Sequence, residues 1–464
     1  MDNKPKVAVV IVNWNKREHV LHLLHSLKSI DYDNCETIVV DNASTDGSVE
    51  AINREFPGMK LIVNTENLGG TGGFNTGIRH ALEMKGCRYL WLLDNDAQVE
   101  NNSLAELVEA IERDESIGMA GSRIVDTERN DITVEAGAFI RWDTIDVRPL
   151  FRNKKNLEME NRIEEVDYVA VCSALIRVAA LKNVGLMDER FFFFWDDMDW
   201  GLQFKEKGYR VVAILTSVVY HPAFTEKRNP SIDLYYGTRN ALLTYSKHTN
   251  WAKRIPIFFN YMSLRSKSLL FWGMSGRKDL MLMGIRGIYD FIMGKWGGRT
   301  LDNPTGKDQD SPSKLPEGTR KVLILNSGSR IEIFSVLSQL ENSFPDAEFT
   351  LLVNDDRLDI YNDTFNSIIK INSKKQHRLI HSLTIFLKIL SENYDIAVNS
   401  KEPSPFSFAV KKAFDFNYPT RKFIESKNNL GNVWKLILSS ILGELIGIIL
   451  LPIVYIASLR HSKA

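Results

Sequence analysis

Four runs of aliphatic and β-branched residues recur in the first hundred positions: KVAVVIVNW from Lys6, ETIVVDNAS from Glu36, MKLIVNT from Met59 and RYLWLLDNDA from Arg88. Each is too short for a spanning helix, and the first and last are too uniformly apolar for a half-exposed strand. Runs of this kind suit strands covered on both faces. Helical patterns lie between them, around residues 20–29 and 74–84. Strands alternating with helices predict βαβ units and an α/β fold with a mostly parallel, doubly covered sheet. In such sheets ligands bind beyond the carboxyl ends of the strands. The residues placed there are Trp14 and Asn15, Asp41 and Asn42, residues 67–73, and residues 94–96. All are polar, acidic or glycine-rich, as a nucleotide site requires.

The chain has 464 residues, enough for two to four domains. Lys+Arg and Asp+Glu are equal at 58 each, so overall charge offers no footprint for nucleic acid. Three scattered cysteines, Cys35, Cys87 and Cys172, provide neither a disulfide framework nor a zinc cluster and suit a reducing, cytoplasmic setting. The first apolar run is read as a strand, not as a signal peptide. The expected organisation is an α/β catalytic domain over residues 1–240, a basic aromatic helical region over 241–300, a linker over 301–319, a Rossmann-like domain over 320–430 and a hydrophobic helical tail over 431–464.

Residues 251–300 hold nine Lys/Arg against two Asp, interleaved with aromatics. That pattern fits helices on an anionic bilayer surface, and equally a helical subdomain with an aromatic core and solvated charges. The tail ILGELIGIILLPIVYIASLR is close to bilayer-spanning length but carries Glu444 and Pro452. A membrane anchor and a buried hairpin both fit it.

The chemistry concentrates in three motifs. WLLDNDA sets Asp94 and Asp96 two residues apart at a strand end. Like charges so placed repel unless a cation joins them, and a divalent ion there could bridge to substrate phosphates; a polar turn is the plainer alternative. NLGGTGGFNTG, residues 67–77, has five glycines opening a helix. Backbone N–H groups near Asn67, Gly69 and Gly70 could face a pyrophosphate, or the glycines could serve a tight strand–helix crossover. No Gly-Lys-Ser/Thr follows, so it is not a P-loop. RFFFFWDDMDW, residues 190–200, drives a run of aromatics into Asp196, Asp197 and Asp199. Carboxylates against an apolar wall become stronger bases, although acids also favour helix N-termini for the dipole alone.

In order and spacing, these elements over residues 6–240 resemble the family 2 glycosyltransferases of GT-A fold, in a form closest to galactofuranosyltransferase-like members. The resemblance implies that Asp41 contacts the nucleotide base, and that Asp94 and Asp96 hold Mn2+ or Mg2+ with the donor diphosphate. It implies His221, which ends VVAILTSVVYH, as a third metal ligand, and Asp197 of WDD as the general base. Asp196 and Asp199 would orient acceptor hydroxyls, and Trp195 and Trp200 would offer flat faces to a sugar. Arg239 of YYGTRN could reach a phosphate, or the tyrosines beside it could simply pack. The implied reaction is inverting transfer from a nucleotide sugar, UDP-galactofuranose first, onto a lipid-linked or growing cell-surface polysaccharide at the cytoplasmic face of the inner membrane. A dTDP-rhamnose rhamnosyltransferase and a non-catalytic nucleotide-sugar scaffold are the alternatives. The stretch from KVLILNSG through FPDAEFTLLV resembles the N-terminal lobe of heptosyltransferase-type enzymes. With no second lobe expected, it is read as an acceptor-binding or assembly module. Oligomeric state is left open.

Overall fold

The computed structural model describes residues 4–127, 132–142, 146–152, 162–222, 230–274, 277–299, 314–325, 330–354, 365–371, 378–399, 410, 412–417, 422–425 and 430–462. Most of the expected linker lies outside them. The chain forms two compact units, one of Met1–Leu269, Lys278–Asp302 and Gly443–Ala464, the other of Leu270–Arg277 and Asn303–Leu442.

The first unit is built on a ten-stranded sheet. In chain order its region carries β1 (Lys6–Asn13), β2 (Cys35–Asp41), β3 (Lys60–Val63), β4 (Cys87–Asp94), β5 (Gln98–Val99), β6 (Ile117–Asp126), β7 (Thr133–Glu135), β8 (Ala138–Arg141), β9 (Asp146–Pro149), β10 (Ile163–Glu165), β11 (Ser173–Arg177) and β12 (Arg210–His221). The order is β10-β12-β6-β11-β4-β1-β2-β3, with β5 on β12 and β7 on β6, while β8 and β9 form a separate hairpin. β1 pairs in parallel with β2 and β4, β2 with β3, and β6 with β12, whereas β11 runs antiparallel between β4 and β6. The carboxyl ends of β1, β2, β4, β6 and β12 therefore share one edge. Alternation within β1 explains its uniform apolarity: Val7, Val9 and Ile11 enter one core, Ala8 and Val10 the other. Both faces are covered, so both must be apolar.

The glycine run is itself helical. The helix Gly69–Leu82 begins five residues before the expected apolar pattern at Phe74. Glycine costs a helix interior about 1 kcal/mol relative to alanine. Here packing requires it: a Cβ on Gly77 would lie 2.3 Å from Val10 Cγ1, and one on Gly73 2.6 Å from Val12 Cγ1. For these two positions the crossover reading is correct.

Helices Pro230–His248, Trp251–Met274 and Lys278–Ile292 follow. The last helix, Leu430–His461, contributes residues from Gly443 onward to the first unit. Cβ atoms on Gly443 and Gly447 would clash with Lys267 and Ser263, so small residues seat it closely on Trp251–Met274. Lys267 and Glu444 pair at 2.7 Å across that contact.

The second unit carries β13 (Lys321–Leu325), β14 (Glu348–Asn354), β15 (Ser367–Ile371), β16 (Ile396–Asn399), β17 (Lys412–Asn417) and β18 (Lys422–Glu425). They are ordered β15-β14-β13-β16-β17-β18, all parallel except the β17–β18 pair. That is the 3-2-1-4-5-6 order of doubly wound folds.

Candidate active site

Three of the residues singled out from the sequence meet at the carboxyl edge. Asp94 ends β4, Asp96 lies two residues beyond it, and His221 ends β12. One ligand atom from each lies within 4.8 Å of the others. His221 Nε2 is 3.0 Å from Asp96 Oδ1 and 3.8 Å from Asp94 Oδ2. Its Nδ1 is 3.1 Å from the carbonyl of Pro222, which can only accept, so Nδ1 carries a proton. In the neutral ring, Nε2 then turns a lone pair toward two carboxylates, an arrangement that a divalent cation satisfies. The donor set of one imidazole and two carboxylates fits Mn2+ or Mg2+. Burial by itself would raise the Asp96 carboxyl, but when the ring is instead protonated at both nitrogens, its Nε2 hydrogen bond and its charge, with His19 adding, bring that carboxyl below its ordinary value.

Asp41 ends β2 and is fully buried. Its Oδ1 accepts from Asn13 Nδ2 at 2.9 Å and its Oδ2 from the Ser44 N–H at 2.7 Å. It thereby ties the ends of β1 and β2 together beside the glycine turn. Asn67 Oδ1 accepts from the Gly69 N–H at 2.8 Å, capping the helix start. Among the described residues no atom would meet a Cβ on Gly70, whereas one on Gly69 would lie 2.1 Å from the Phe192 carbonyl oxygen. The turn is thus packed against the aromatic run at Gly69.

That run leads into the helix Asp196–Glu206, with Trp195 at its N-cap in a left-handed conformation. Asp196 Oδ2 accepts from Thr71 Oγ1 at 2.7 Å, linking the glycine turn to the acidic motif. Burial holds Asp196 above the ordinary carboxyl range. Asp197 is half-buried and pushed well above that range, first by burial and then by the charges of Asp196, Glu135 and, more weakly, Asp94. Of the three residues in the cluster, Asp94 thus acts electrostatically on Asp197. A carboxylate so raised is a stronger base than a solvated one. The Trp195 ring is half-buried, edge-on to Tyr245 at 5.5 Å.

Three expectations are corrected. Asp199 is not presented to an acceptor: it is buried, with Lys247 Nζ at 2.7 Å, His248 Nε2 at 2.8 Å and Gln203 Nε2 donating as well. Trp200 is fully buried and donates through Nε1 to the Gly185 carbonyl at 3.0 Å, leaving no face for a sugar. Arg239 does not reach toward a phosphate. It is fully buried and donates to the backbone carbonyls of Arg190, Phe191 and Gly297.

Two residues escaped the sequence reading. Glu135, at the end of β7, has a buried Oε1 without a hydrogen-bond partner among the described residues. Burial, tempered by the charges of Arg152 and His221, pushes its carboxyl up to about 7. A lone acid in the otherwise apolar TVEAGAFI was the available signal. Asn240 follows Arg239, and only its contacts mark it out.

The family model described as Glycosyl transferase family 2 matches residues 8–185. The chain is 24% identical over 268 residues to an N-acetylglucosaminyl-diphospho-decaprenol L-rhamnosyltransferase of Mycobacterium tuberculosis, covering 53% of this chain and 86% of that protein. It is 24% identical over 213 residues to the galactofuranosyltransferase GlfT2 of the same organism, covering 42% of this chain and 33% of that one. A dTDP-rhamnosyl transferase RfbF of Shigella flexneri is 24% identical over 313 residues, 63% of this chain and 97% of the relative. Among solved structures, GalNAc-T7 with UDP, GalNAc and Mn2+ superposes with a TM-score of 0.45 at 17% identity, covering 57% of this chain and 51% of that one. Residues 8–185, within the first unit, are thus similar to the family 2 glycosyltransferase model. The protein is a glycosyltransferase related in sequence to rhamnosyl- and galactofuranosyltransferases.

Proposed function

We propose that this glycosyltransferase is metal-dependent and inverting, and that it moves galactofuranose from UDP-galactofuranose onto a lipid-linked or growing cell-surface polysaccharide. The observation that carries the reading is the Asp94–Asp96–His221 cluster at the carboxyl edge, with Asp94 acting electrostatically on Asp197. A divalent cation held by those three residues would supply charge neutralisation for the donor diphosphate. Asp197 accepts the proton of an acceptor hydroxyl as that oxygen bonds to the anomeric carbon. The carbon–oxygen bond to the diphosphate breaks on the opposite face, and UDP leaves with the electron pair. Asp196, fixed by Thr71, keeps a second carboxyl beside the base. Asp41, buried and engaged by Asn13 and Ser44, would shape the β2 end that a nucleotide base meets.

Exposed apolar residues in the helical part of the first unit support an acceptor at a bilayer. Leu282, Ile285 and Tyr289 form an exposed stripe on Lys278–Ile292, which exposed Met293 continues just past the helix end. On Leu430–His461, Leu445, Ile448, Ile449, Ile453, Ile456 and Leu459 are also exposed. The most apolar 18-residue window of Ile441–His461 has a mean hydropathy of 2.2 with 28% of it buried, which supports contact with lipid. Exposed Lys253, Lys278, Arg286, Lys295 and Arg460 lie among these residues and fit anionic headgroups at the cytoplasmic face.

A second donor, dTDP-rhamnose, is favoured by the two rhamnosyltransferase relatives, which the chain matches over most of their length. A panel of UDP-galactofuranose, UDP-galactopyranose, UDP-glucose and dTDP-rhamnose, with Mn2+ and an alkyl galactoside acceptor, separates the readings. Turnover of the furanose, lost in Asp197→Asn, is the expected result. Turnover of rhamnose alone overturns the donor, and full activity of Asp197→Asn overturns the base.

A further inference from the structure

The loop that delivers Asp197 is held in an unfavourable conformation by side chains that touch no substrate. Phe192, Phe194 and Trp195 have φ of 66°, 64° and 67°, three of the seven non-glycine residues with positive φ among the described residues. Bulky side chains rarely adopt this region, and such strain persists only where the surroundings over-determine it. Here every carbonyl from Arg190 to Phe194 has an outside donor. Asn240 Nδ2 lies 3.0 Å from the carbonyl oxygen of Phe191, 2.7 Å from that of Phe193 and 2.9 Å from that of Phe194. Arg239 Nη2 donates to the carbonyls of Arg190 at 3.1 Å and Phe191 at 2.9 Å. The remaining carbonyl, of Phe192, accepts from the Thr71 N–H at 3.4 Å, at the glycine turn. Arg239 Nε donates to Asn240 Oδ1 at 2.9 Å, which fixes the amide with its NH2 group toward the loop. Both side chains are fully buried, so water cannot substitute for either.

We propose that Arg239 and Asn240 are positioning residues for the acceptor-side base: they hold the left-handed turn that aims Asp197, in the helix that follows, at the sheet edge. The inference rests on the reading of Asp197 as base. Arg239 alone reaches two of the loop carbonyls and locks the amide that reaches three. Both residues lie on the helix Pro230–His248 and not on the strands whose carboxyl ends carry Asp94 and His221, so the pair acts on placement of the base and leaves diphosphate binding to Asp94, Asp96 and His221. A buried brace that served only stability would have no reason to converge on the one loop whose last residue caps the helix of the base.

The test compares Asn240→Ala, Arg239→Lys and Asp197→Asn in the full-length protein. Affinity for UDP with Mn2+ is measured by calorimetry, and kcat and KM with UDP-galactofuranose, or with dTDP-rhamnose if the panel selects it. Misplacement of a catalytic group by about 1 Å costs on the order of 100-fold in rate. The expected result is a kcat at least about 100-fold lower in Asn240→Ala and Arg239→Lys, with UDP affinity within about twofold of wild type. If Asn240→Ala does not fold, Arg239→Lys, which keeps the charge but shortens the reach, carries the same comparison. Unchanged kcat in the folded variants while Asp197→Asn is inactive overturns the positioning role, as does a parallel fall in kcat and UDP affinity. Full activity in Asp197→Asn instead overturns the assignment of the base.

Discussion

Replacing Lys247 by Met tests whether Asp199 belongs to the fold or to the acceptor site. Lys247 Nζ lies 2.7 Å from both Asp188 Oδ2 and Asp199 Oδ2, and Asp188 also holds Arg190 at 2.6 Å. Burial alone would raise the Asp188 carboxyl, yet Arg190 and Lys247 together bring it from 3.8 down to about 2. At 1.36 kcal/mol per pKa unit that is about 2 kcal/mol of stability, shared between two cations. Losing the charge-assisted hydrogen bond to Asp199 as well, worth roughly 1.5 kcal/mol, gives a loss of about 2–3 kcal/mol for Lys247→Met. This lies at or below the roughly 3–5 kcal/mol for breaking a buried pair outright, because each carboxylate keeps one cation. For Asp199 that cation is His248, whose hydrogen bonds to Asp199 and Glu206 outweigh burial and raise it above 6.5. A raised histidine contributes fully below its unfolded value and loses its contribution as pH climbs through the folded one. The variant depends on His248 more than wild type does, so its deficit widens as pH rises from about 6.5. Urea midpoints between pH 6 and 8.5 measure this, with tryptophan fluorescence as the probe. A deficit below about 0.5 kcal/mol at pH 7, the size of an ordinary surface substitution, or one that shrinks with rising pH, would refute the reasoning.

His221→Ala is expected to weaken UDP binding in the presence of Mn2+ by at least about tenfold while leaving metal-free binding unchanged; equal loss in both titrations would remove His221 from the metal site. Gly69→Ala introduces a Cβ where φ is +73° and the Phe192 carbonyl stands 2.1 Å away. It should lower stability by about 1–3 kcal/mol and reduce kcat together with it, because the obstacle is backbone of the base-bearing loop; thermal melts and initial rates at one pH check both. Ile448→Lys combined with Ile449→Lys should abolish flotation with vesicles containing anionic lipid while leaving the melting temperature within about 2 °C. Retained flotation would place the membrane contact elsewhere.

Much of the site was legible because the chemistry follows the strands. Short, β-branched apolar runs alternating with helical patterns suit doubly covered strands, and the polar residue that ends such a run lies at the sheet edge. Asp41 and Asp94 were therefore placed by pattern, and His221 by the family resemblance together with its position after VVAILTSVVY. The acidic motif was only half legible. Asp196, Asp199 and Trp200 stand at i, i+3 and i+4 of one helix and share its buried face, whereas Asp197 is turned away from them. That spacing was present in WDDMDW, but it could not say which face would be covered.

Sequence by itself determined the class of fold, the carboxyl edge and the pair of aspartates upon it, since these follow from local periodicity and the repulsion of neighbouring like charges. Only the tertiary structure could decide what Asp199 and Arg239 are for. Their partners, Lys247 and His248 for the one and the carbonyls of Arg190, Phe191 and Gly297 for the other, lie about 48 to 58 residues away along the chain. A buried charge is assigned by what neutralises it, and that neighbour is brought in by packing.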